Sequence, residues 1–407
     1  MESRPLNGLE SFLAMLGMPV FGSWTVRGPV DTGRLQRAFE AVHELYPVLA
    51  ARLVNGSGKI SLELPKTTAV PAVQFASHPQ HLLPFALEDP LARLVVSPHG
   101  DGSHIITLAV NHVITDALSF ITVLDVLRNV YTEGTVTRRP EEQGEGRLPE
   151  PFTHWLDDPT AAPEWRPPTF PGKGESLPAR ARKEGPASSP GHARVESLAV
   201  SAGEMSGLDR AAAEGGTDVN AVLWAVALLA VRAQIKPADV PVRLTATMNV
   251  DLRRRCRPPL PQDRLCLAAS YIPLGMEITP DADPLELART VRRAVLSGFA
   301  RRTPEAIALA ATPELPEFTE ALPSVMIAFL GSIAFPTPLN PEREDHDLLL
   351  FSRPPGPFPL IIMYLIDGHL HITISARAED HTAEQLKALS ENIGVRVHRL
   401  AENYLKG

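Results

Sequence analysis

HIITLAVNHVITDALSF, residues 104–120, is the segment in which a predicted strand runs directly into a predicted helix. Residues 105–110 form an apolar run rich in β-branched side chains, which is typical of a buried strand. From Asp116 onward, apolar residues recur at helical spacing as far as Val130, which predicts an amphipathic helix with Asp116 as its N-cap. The segment therefore predicts a strand–turn–helix unit.

The turn between this strand and helix carries Asn111, His112 and Asp116. A strand-to-helix turn can project a side chain into a crevice, so His112 is placed as a general base would be, with Asp116 fixing the local geometry through a buried ion pair. The alternative is that Asp116 only caps the helix and His112 only fills the turn. The spacing His-x-x-x-Asp alone does not decide between these two interpretations.

The composition favours a soluble protein with two ordinary domains. The chain has 407 residues, of which 44 % are hydrophobic, enough to build substantial cores. Its formal net charge of -8 argues against nucleic acid as a main partner, because phosphate binding requires a basic face. The longest apolar run, residues 217–234, contains Asp218, Asn220 and Arg232 and predicts a buried helix rather than a membrane span. With no apolar signal-peptide core at the N-terminus, we expect no membrane partner and a cytoplasmic location.

Cysteine and histidine usage gives no pattern for a metal site. Cys256 and Cys266 are too few for a disulfide framework and lack a matching set of ligands for zinc, so we expect two reduced thiols. His369 and His371 alternate along a predicted strand, but without a third ligand they are better explained as polar surface residues. The sequence also has no Gly-rich phosphate loop and no Gly-x-Ser-x-Gly pattern. We therefore expect no metal.

Strand and helix patterns alternate along the whole chain. Hairpin turns are predicted at the Asn-Gly pair 55–56 and the Asp-Gly pairs 101–102 and 367–368. The predicted helices cover residues 32–45, 116–130, 201–213, 217–234 and 284–300, and a last helix begins near residue 382. The predicted strands cover residues 20–30, 60–64, 105–110, 196–200, 242–250, 265–276, 324–335, 360–366 and 370–375, with further strands before residue 55 and within 84–98.

A change of composition divides the chain into two halves. Residues 138–192 are crowded with proline, glycine, glutamate and arginine and show little apolar periodicity, which predicts a linker with one short helix near 152–156. We place the boundary within this linker, so that the first half comprises residues 1–175 and the second half residues 176–407. Because both halves mix strands and helices, the predicted architecture is a two-layer α/β (α+β) fold.

Four segments, taken in order, resemble the acyltransferases of the chloramphenicol-acetyltransferase fold, which include condensation domains of nonribosomal peptide synthesis. Residues 111–117 (NHVITDA) resemble the His-His-x-x-x-Asp-Gly signature, and residues 249–259 (NVDLRRRCRPP) resemble the Asp-Leu-Arg motif of the second half. Residues 27–53 resemble the first strand and helix of the family, and residues 360–389 its closing hairpin and helix. The likeness spans nearly the whole chain and is strongest to the polyketide-associated acyltransferases.

The resemblance implies a fold, an activity and partners. It implies two chloramphenicol-acetyltransferase-like subdomains that form a V-shaped pseudo-dimer with a central tunnel. The acyl donor would be a thioester of coenzyme A or of phosphopantetheine on an acyl or peptidyl carrier protein, and the acceptor a hydroxyl or amine of a small secondary metabolite. No permanently bound cofactor is implied, and one monomer would hold a complete tunnel.

The resemblance also assigns roles to individual residues. His112 would be the general base, since a neutral imidazole suits proton transfer at neutral pH. Asp116 would pair with Arg253 across the junction of the halves rather than touch the substrate. The alternative for Arg253 is a solvated charge within the arginine run 253–255.

Three positions depart from the pattern of the family. Asn111 replaces the first signature histidine, a structural position that an amide can fill, and Ala117 replaces the signature glycine and adds a methyl group near the base. Phe329 lies where the family often has a Ser-Asn-x-Gly motif, and the nearby hydroxyl is that of Ser332. Phe329 and Ser332 are therefore the candidate substrate-binding positions, and a missing oxyanion donor there costs about 10²–10³ in rate. These departures leave open a non-acyl step on a carrier-bound intermediate, such as a cyclisation, or a catalytically silent carrier-protein-binding module.

Overall fold

The computed structural model describes residues 2–56, 58–66, 69–77, 85–135, 148–158, 174–177, 192–311, 323–333 and 348–405. Its helices are α1 (Gly8–Leu16), α2 (Thr32–Leu45), α3 (Ala117–Glu133), α4 (Ala202–Glu214), α5 (Val219–Gln234), α6 (Pro284–Ala300), α7 (Thr303–Ala310) and α8 (Ala383–Leu405). Its strands are β1 (Glu2–Pro5), β2 (Pro19–Val26), β3 (Arg52–Gly56), β4 (Lys59–Leu64), β5 (Gln74–Phe75), β6 (Ala92–His99), β7 (Ser103–Asn111), β8 (Ala193–Val200), β9 (Val242–Asp251), β10 (Ala269–Ile278), β11 (Val325–Ser332), β12 (Leu349–Ser352), β13 (Leu360–Ile366) and β14 (His369–Arg377).

The strands form three sheets, and the mixed α/β fold class is confirmed. A small sheet has the order β1-β4-β3, the first-half sheet has the order β12-β2-β7-β6-β5, and the second-half sheet has the order β10-β9-β11-β13-β14-β8. The predicted apolar helix α5 is buried along almost its whole length against the second-half sheet. Among the described residues no single helix is both long and apolar enough to cross a membrane; only α4 and α5 taken together reach that length, and they are bent by 102°.

Two of the three predicted hairpin turns are confirmed. Asp101-Gly102 and Asp367-Gly368 have positive φ at both residues, which is the conformation of a type I′ turn. The predicted Asn55-Gly56 turn is wrong, because both residues belong to β3 and Gly56 still pairs with Lys59 of β4. Gly58, two residues after Gly56, has a φ of 79° and takes the left-handed conformation that the Asn55-Gly56 pair was expected to supply.

Several elements differ from the sequence prediction. Strands β1 and β12 and helices α1 and α7 were not predicted, because short elements carry too few residues to show a period. Strand β2 ends at Val26, four residues early, and β10 begins at Ala269, four residues late. The predicted linker falls largely on 136–147, 159–173 and 178–191, outside the described residues, while its short helix is confirmed as a 3-10 helix, Phe152–Trp155.

The two halves share buried surface instead of packing as separate bodies. Strand β12 lies between β11 and β13 in the sequence of the second half, yet it pairs antiparallel with β2 at the edge of the first-half sheet. One face of the second-half sheet packs on its own helices, and residues of the other face, Ala328, Ile362 and Tyr364, join the apolar core of the first half. The two halves therefore share one apolar core where these residues meet.

Candidate active site

The predicted strand–turn–helix unit is present, with His112 in the turn. Strand β7 ends at Asn111, and α3 begins at Ala117 with Asp116 as its N-cap. The Asp116 Oδ1 atom accepts the backbone N–H of Ser119 at 3.0 Å, and the Asp116 backbone N–H donates to the Ser119 hydroxyl at 3.2 Å. This reciprocal capping stabilises the first turn of α3 and fixes where the preceding residues lie.

The His112 ring has a defined tautomer. Its Nδ1 atom lies 2.7 Å from the Thr115 carbonyl oxygen. A carbonyl only accepts hydrogen bonds, so Nδ1 carries the hydrogen and Nε2 keeps a lone pair. No group among the described residues hydrogen-bonds to Nε2. The backbone of His112 is held as well, since its N–H donates to the Met18 carbonyl at 2.8 Å. The ring is thus oriented with a free proton-accepting atom.

Burial keeps His112 neutral. The residue is only partly exposed. Desolvation by the surrounding protein lowers the pKa of the imidazole below its usual 6.5, although the backbone hydrogen bonds and the nearby Asp116 carboxylate oppose this shift. The ring is therefore in its proton-accepting form at neutral pH.

Asp116 and Arg253 form a bidentate ion pair that joins the two halves. Arg253 Nη1 lies 2.6 Å from Asp116 Oδ2, and Nη2 lies 3.0 Å from Oδ1, although the residues are 137 positions apart in sequence. Both side chains are buried, with exposed fractions of 1 % for Arg253 and 5 % for Asp116. The expected ion pair is present, and Arg253 is not a solvated charge.

The remaining acceptor positions of Asp116 are also filled. The backbone N–H of Ala268 donates to Oδ2 at 2.8 Å, while Ser119 and Arg253 share Oδ1. Burial alone would raise the pKa of this carboxyl, but the charge and hydrogen bonds of Arg253, with the two backbone donors, hold the pKa below its usual value. These bonds explain why β10 begins late, since residue 268 is bonded to the site before the ladder starts.

Asp251 gives Arg253 a second carboxylate. Its Oδ1 accepts Arg253 Nη1 at 2.9 Å and the Arg253 backbone N–H at 3.2 Å. Burial raises the pKa of Asp251 despite the opposing attraction of Arg253. The guanidinium is therefore held from two sides, which fixes its orientation toward Asp116.

Asn111 and Ala117 flank the turn. Asn111 is fully buried, and its Oδ1 accepts the backbone N–H of Val113 at 3.0 Å, which tightens the turn around His112. Its side-chain nitrogen has no hydrogen-bond partner among the described residues. Ala117 is the first residue of α3 and is partly exposed. Asn111 is thus bonded within the turn, and the structural role that the resemblance implies for it stays a prediction.

The two candidate substrate-binding residues lie at the end of β11. Strand β11 runs parallel to β9 with Ala328 opposite Asn249, so its last residues emerge at the end of the sheet where Asp251 lies. Phe329 packs against the second-half core, Ser332 is exposed, and the strand is irregular between them. No hydrogen bond or ring contact within the described ranges joins either residue to His112, so their role stays a prediction.

Three residues at the site were not singled out from the sequence. Ser119 bonds to Asp116 and also to the backbone carbonyl of Cys266, at 3.0 Å. Its position three residues after an N-cap is the signal that points to it. Ala268 takes part through its backbone N–H, and Cys266 through its backbone carbonyl and through a contact of its sulfur with Arg253 Nη2 at 3.7 Å. Bonds to backbone atoms cannot be predicted from a pattern of side chains.

The described residues contain no cluster of three or more His, Cys, Asp or Glu side chains able to hold a metal ion. Cys256 and Cys266 are free and buried. Burial raises the pKa of their thiols to about 11 and about 12 respectively, so neither is a reactive thiolate at neutral pH.

His371 is buried and stacks on the Tyr364 ring with centroids 5.3 Å apart, which is not the surface position expected for it.

The chain is similar to known acyltransferases and condensation-type proteins. The family model for the C-terminus of phthiocerol/phthiodiolone dimycocerosyl transferase matches residues 189–375. No curated relative matches the chain by sequence. Polyketide synthase associated protein 5 from Mycobacterium tuberculosis has the same fold, with a TM-score of 0.69 and 21 % identity over 98 % of both chains.

Two further solved structures show how widely this fold is used. The trichothecene 15-O-acetyltransferase TRI3 from Fusarium sporotrichioides has a TM-score of 0.67 and 12 % identity, over 98 % of this chain and 94 % of its own. The epimerization domain from the third module of tyrocidine synthetase B has a TM-score of 0.63 and 13 % identity, over 99 % of this chain and 97 % of its own. At these identities the comparisons show the shared fold.

Proposed function

We propose that this chain, a member of the condensation-domain and chloramphenicol-acetyltransferase-like superfamily close to the polyketide-associated acyltransferases, transfers an acyl group from a thioester to a hydroxyl or amine of a secondary metabolite. The observation that carries the proposal is the neutral His112 ring, with Nδ1–H bound to the Thr115 carbonyl and Nε2 free. This arrangement is the one that a general base needs.

In the proposed reaction His112 takes one proton from the acceptor and later gives one proton to the leaving thiolate. Nε2 takes the proton of the acceptor hydroxyl or amine while the acceptor atom forms a bond to the thioester carbonyl carbon. The tetrahedral intermediate then expels the thiolate by breaking the C–S bond, and Nε2–H returns the proton to sulfur. Asp116 and Arg253 hold the turn and the junction of the halves and do not exchange protons with substrate.

The donor and partners follow from the same proposal. The donor is a thioester of coenzyme A or of phosphopantetheine on a carrier protein, and it is a co-substrate that leaves after each cycle. We further propose that the chain works as a monomer in the cytoplasm, a location with which its two free thiols are consistent.

The proposal is tested by intact-mass detection of acyl transfer. The protein is incubated with a panel of coenzyme A and carrier-protein thioesters and candidate acceptors. We expect the acceptor to gain the mass of the acyl group while the donor loses it. Binding of a loaded carrier protein without turnover of any donor would overturn the acyltransferase proposal and favour the silent binding module.

A specific observation favours a second candidate function, a non-acyl step on a carrier-bound intermediate. Residues 328–331 carry no hydroxyl or amide side chain to stabilise an oxyanion, so the proposed acyl transfer lacks one stabilising group there. The fold itself is also found in a protein described as an epimerization domain. A carrier-bound intermediate whose mass stays constant in the assay above, but whose NMR spectrum after cleavage from the carrier differs from that of the starting intermediate, would support this second function.

The pH dependence of kcat/KM should report the titration of His112. Because burial lowers the pKa of the imidazole, the neutral ring persists below pH 6.5, and activity is lost only as the pH falls through the lowered pKa. We expect the acid limb of the kcat/KM profile to have its midpoint below 6.5, with the fold intact by circular dichroism over the same range. An acid limb with its midpoint above 6.5 would contradict this prediction.

A further inference from the structure

The Ser119 hydroxyl lies at the centre of the hydrogen bonds that hold the turn. The side chain is fully buried. Its Oγ lies 3.2 Å from the Asp116 backbone nitrogen, 3.1 Å from Thr115 Oγ1 and 3.0 Å from the Cys266 carbonyl oxygen. A serine hydroxyl has one hydrogen and two acceptor positions. It therefore accepts from the Asp116 N–H and donates its hydrogen to the Cys266 carbonyl, the nearest acceptor, while the Thr115 hydroxyl donates to the Asp116 carbonyl at 3.1 Å.

This assignment leaves the neighbouring carboxylate undisturbed. Asp116 Oδ1 is also near the hydroxyl, at 3.1 Å, but it already accepts the Ser119 N–H and Arg253 Nη2. The Cys266 carbonyl receives the Ser119 hydrogen and a long contact from Arg253 Nη2 at 3.3 Å. The buried hydroxyl thus uses its hydrogen on the Cys266 carbonyl and one acceptor position on the Asp116 N–H.

Ser119 acts on His112 through a single peptide group. The Asp116 N–H and the Thr115 C=O belong to the same peptide unit, which is planar, with its N–H and C=O pointing in opposite directions. Ser119 Oγ accepts from the N–H end, and the His112 Nδ1–H donates to the C=O end. Fixing one end of this plane fixes the direction of the other.

The same hydroxyl ties this peptide plane to the second half. Cys266 lies 147 positions from Ser119 in sequence, just before β10. The orientation of the peptide unit is therefore set by the position of the second half as well as by the local turn. The Asp116–Arg253 pair crosses the same junction but does not contact the Thr115 carbonyl.

We propose that Ser119 is a positioning residue: by fixing the peptide plane between Thr115 and Asp116 against the Cys266 carbonyl, it holds His112 in the Nδ1–H tautomer with Nε2 free. This inference rests on the proposed function of His112 as a base. Its structural part concerns only the tautomer and is independent of any substrate.

The test is to replace Ser119 and to read the tautomer of His112 directly. Nitrogen-15 NMR of histidine-labelled protein distinguishes the two neutral tautomers, and His112 is assigned among the 13 histidines by loss of its signal in His112→Gln. We expect the wild-type protein to show the Nδ1–H form and Ser119→Ala to show a mixture. We also expect kcat to fall by up to about 10²-fold, the cost of a 1 Å misplacement, with KM changed little.

Two further variants keep the test decisive. Thr122→Val removes a hydroxyl of the same helix whose one hydrogen bond within the described ranges is to the Leu118 carbonyl, and it should leave the tautomer unchanged. Ser119→Cys keeps a similar shape but offers only a weak acceptor, so it should shift the tautomer in the same direction as the alanine variant. It takes the place of the alanine variant in the test if that variant does not fold. A single Nδ1–H form in both folded Ser119 variants would overturn the proposal. Because the NMR readout needs no substrate, failure of the acyl-transfer proposal is recognised separately, as absence of turnover in the wild-type protein.

Discussion

Replacing His112 with alanine is expected to lower kcat/KM by about 10²–10⁴-fold, the usual contribution of a positioned acid–base group. The variant lacks the only atom that we place to accept the proton of the acceptor, so the nucleophile must attack in its protonated, weak form. The turn itself should survive, because Asn111 bonds to Val113 and Asp116 is held by Arg253, and neither contact involves the imidazole. The loss is measured by steady-state kinetics with a donor found active in the intact-mass assay.

The chain offers a matched control for this substitution on the same strand. His104 lies on β7 near its start, and its ring bonds to the Gly28 carbonyl, at the end of the strand away from the turn. We expect His104→Ala to keep wild-type kcat/KM and His112→Ala to keep the wild-type circular dichroism spectrum. Full activity in a folded His112→Ala variant would rule out the proposed mechanism.

Replacing Arg253 with methionine should cost about 3–5 kcal/mol of unfolding free energy, because it removes one partner of a buried ion pair. Asp116 would lose its bidentate partner in a site with almost no access to water, and Asp251 and the Cys266 carbonyl would lose donors as well. The change is measured as the shift in the midpoint of urea unfolding at an unchanged slope.

A surface ion pair in the same half provides the comparison. Arg292 and Asp218 are joined at 2.8 Å, but their side chains are 44 % and 49 % exposed. Solvent and salt screen such a pair, so Arg292→Met should cost at most about 1 kcal/mol. A similarly small cost for Arg253→Met would contradict the structural role that we assign to the buried pair.

A double-mutant cycle distinguishes the ion pair from simple loss of packing. Adding Asp116→Asn to Arg253→Met removes the carboxylate charge that the single variant leaves unpaired. We expect the double variant to be less destabilised than the sum of the two single variants, with a coupling energy above about 1 kcal/mol, as is common for residues in direct contact. Additive effects would show that the two side chains act independently.

The local units of this fold could be predicted from the sequence. The apolar run before Asn111 and the helical spacing after Asp116 correctly predicted β7, the N-cap and α3. The Asp-Gly pairs predicted two hairpins because glycine and aspartate accept the positive φ that such turns require. These features depend on interactions between residues that are close in sequence, so a single sequence contains the information for them.

Short elements and non-local pairing could not be predicted in this way. Strand β12 has four residues and no period of its own, and its place beside β2 depends on a partner strand far away in sequence. The resemblance to a known family implied the Asp116–Arg253 contact, but the charge pattern alone fitted a solvated arginine run equally well.

The sequence by itself determined the strand–turn–helix unit, the residues in its turn and the mixed α/β class, since hydrophobic period and capping act over a few residues. Only the tertiary structure decided that Arg253 and the Cys266 carbonyl meet Asp116 and Ser119 across the junction of the halves. It also decided that the His112 ring donates to the Thr115 carbonyl and leaves Nε2 free. The physical reason is that burial and hydrogen bonds to backbone atoms fix the tautomer and pKa of a side chain, and backbone partners leave no mark on the pattern of residue types.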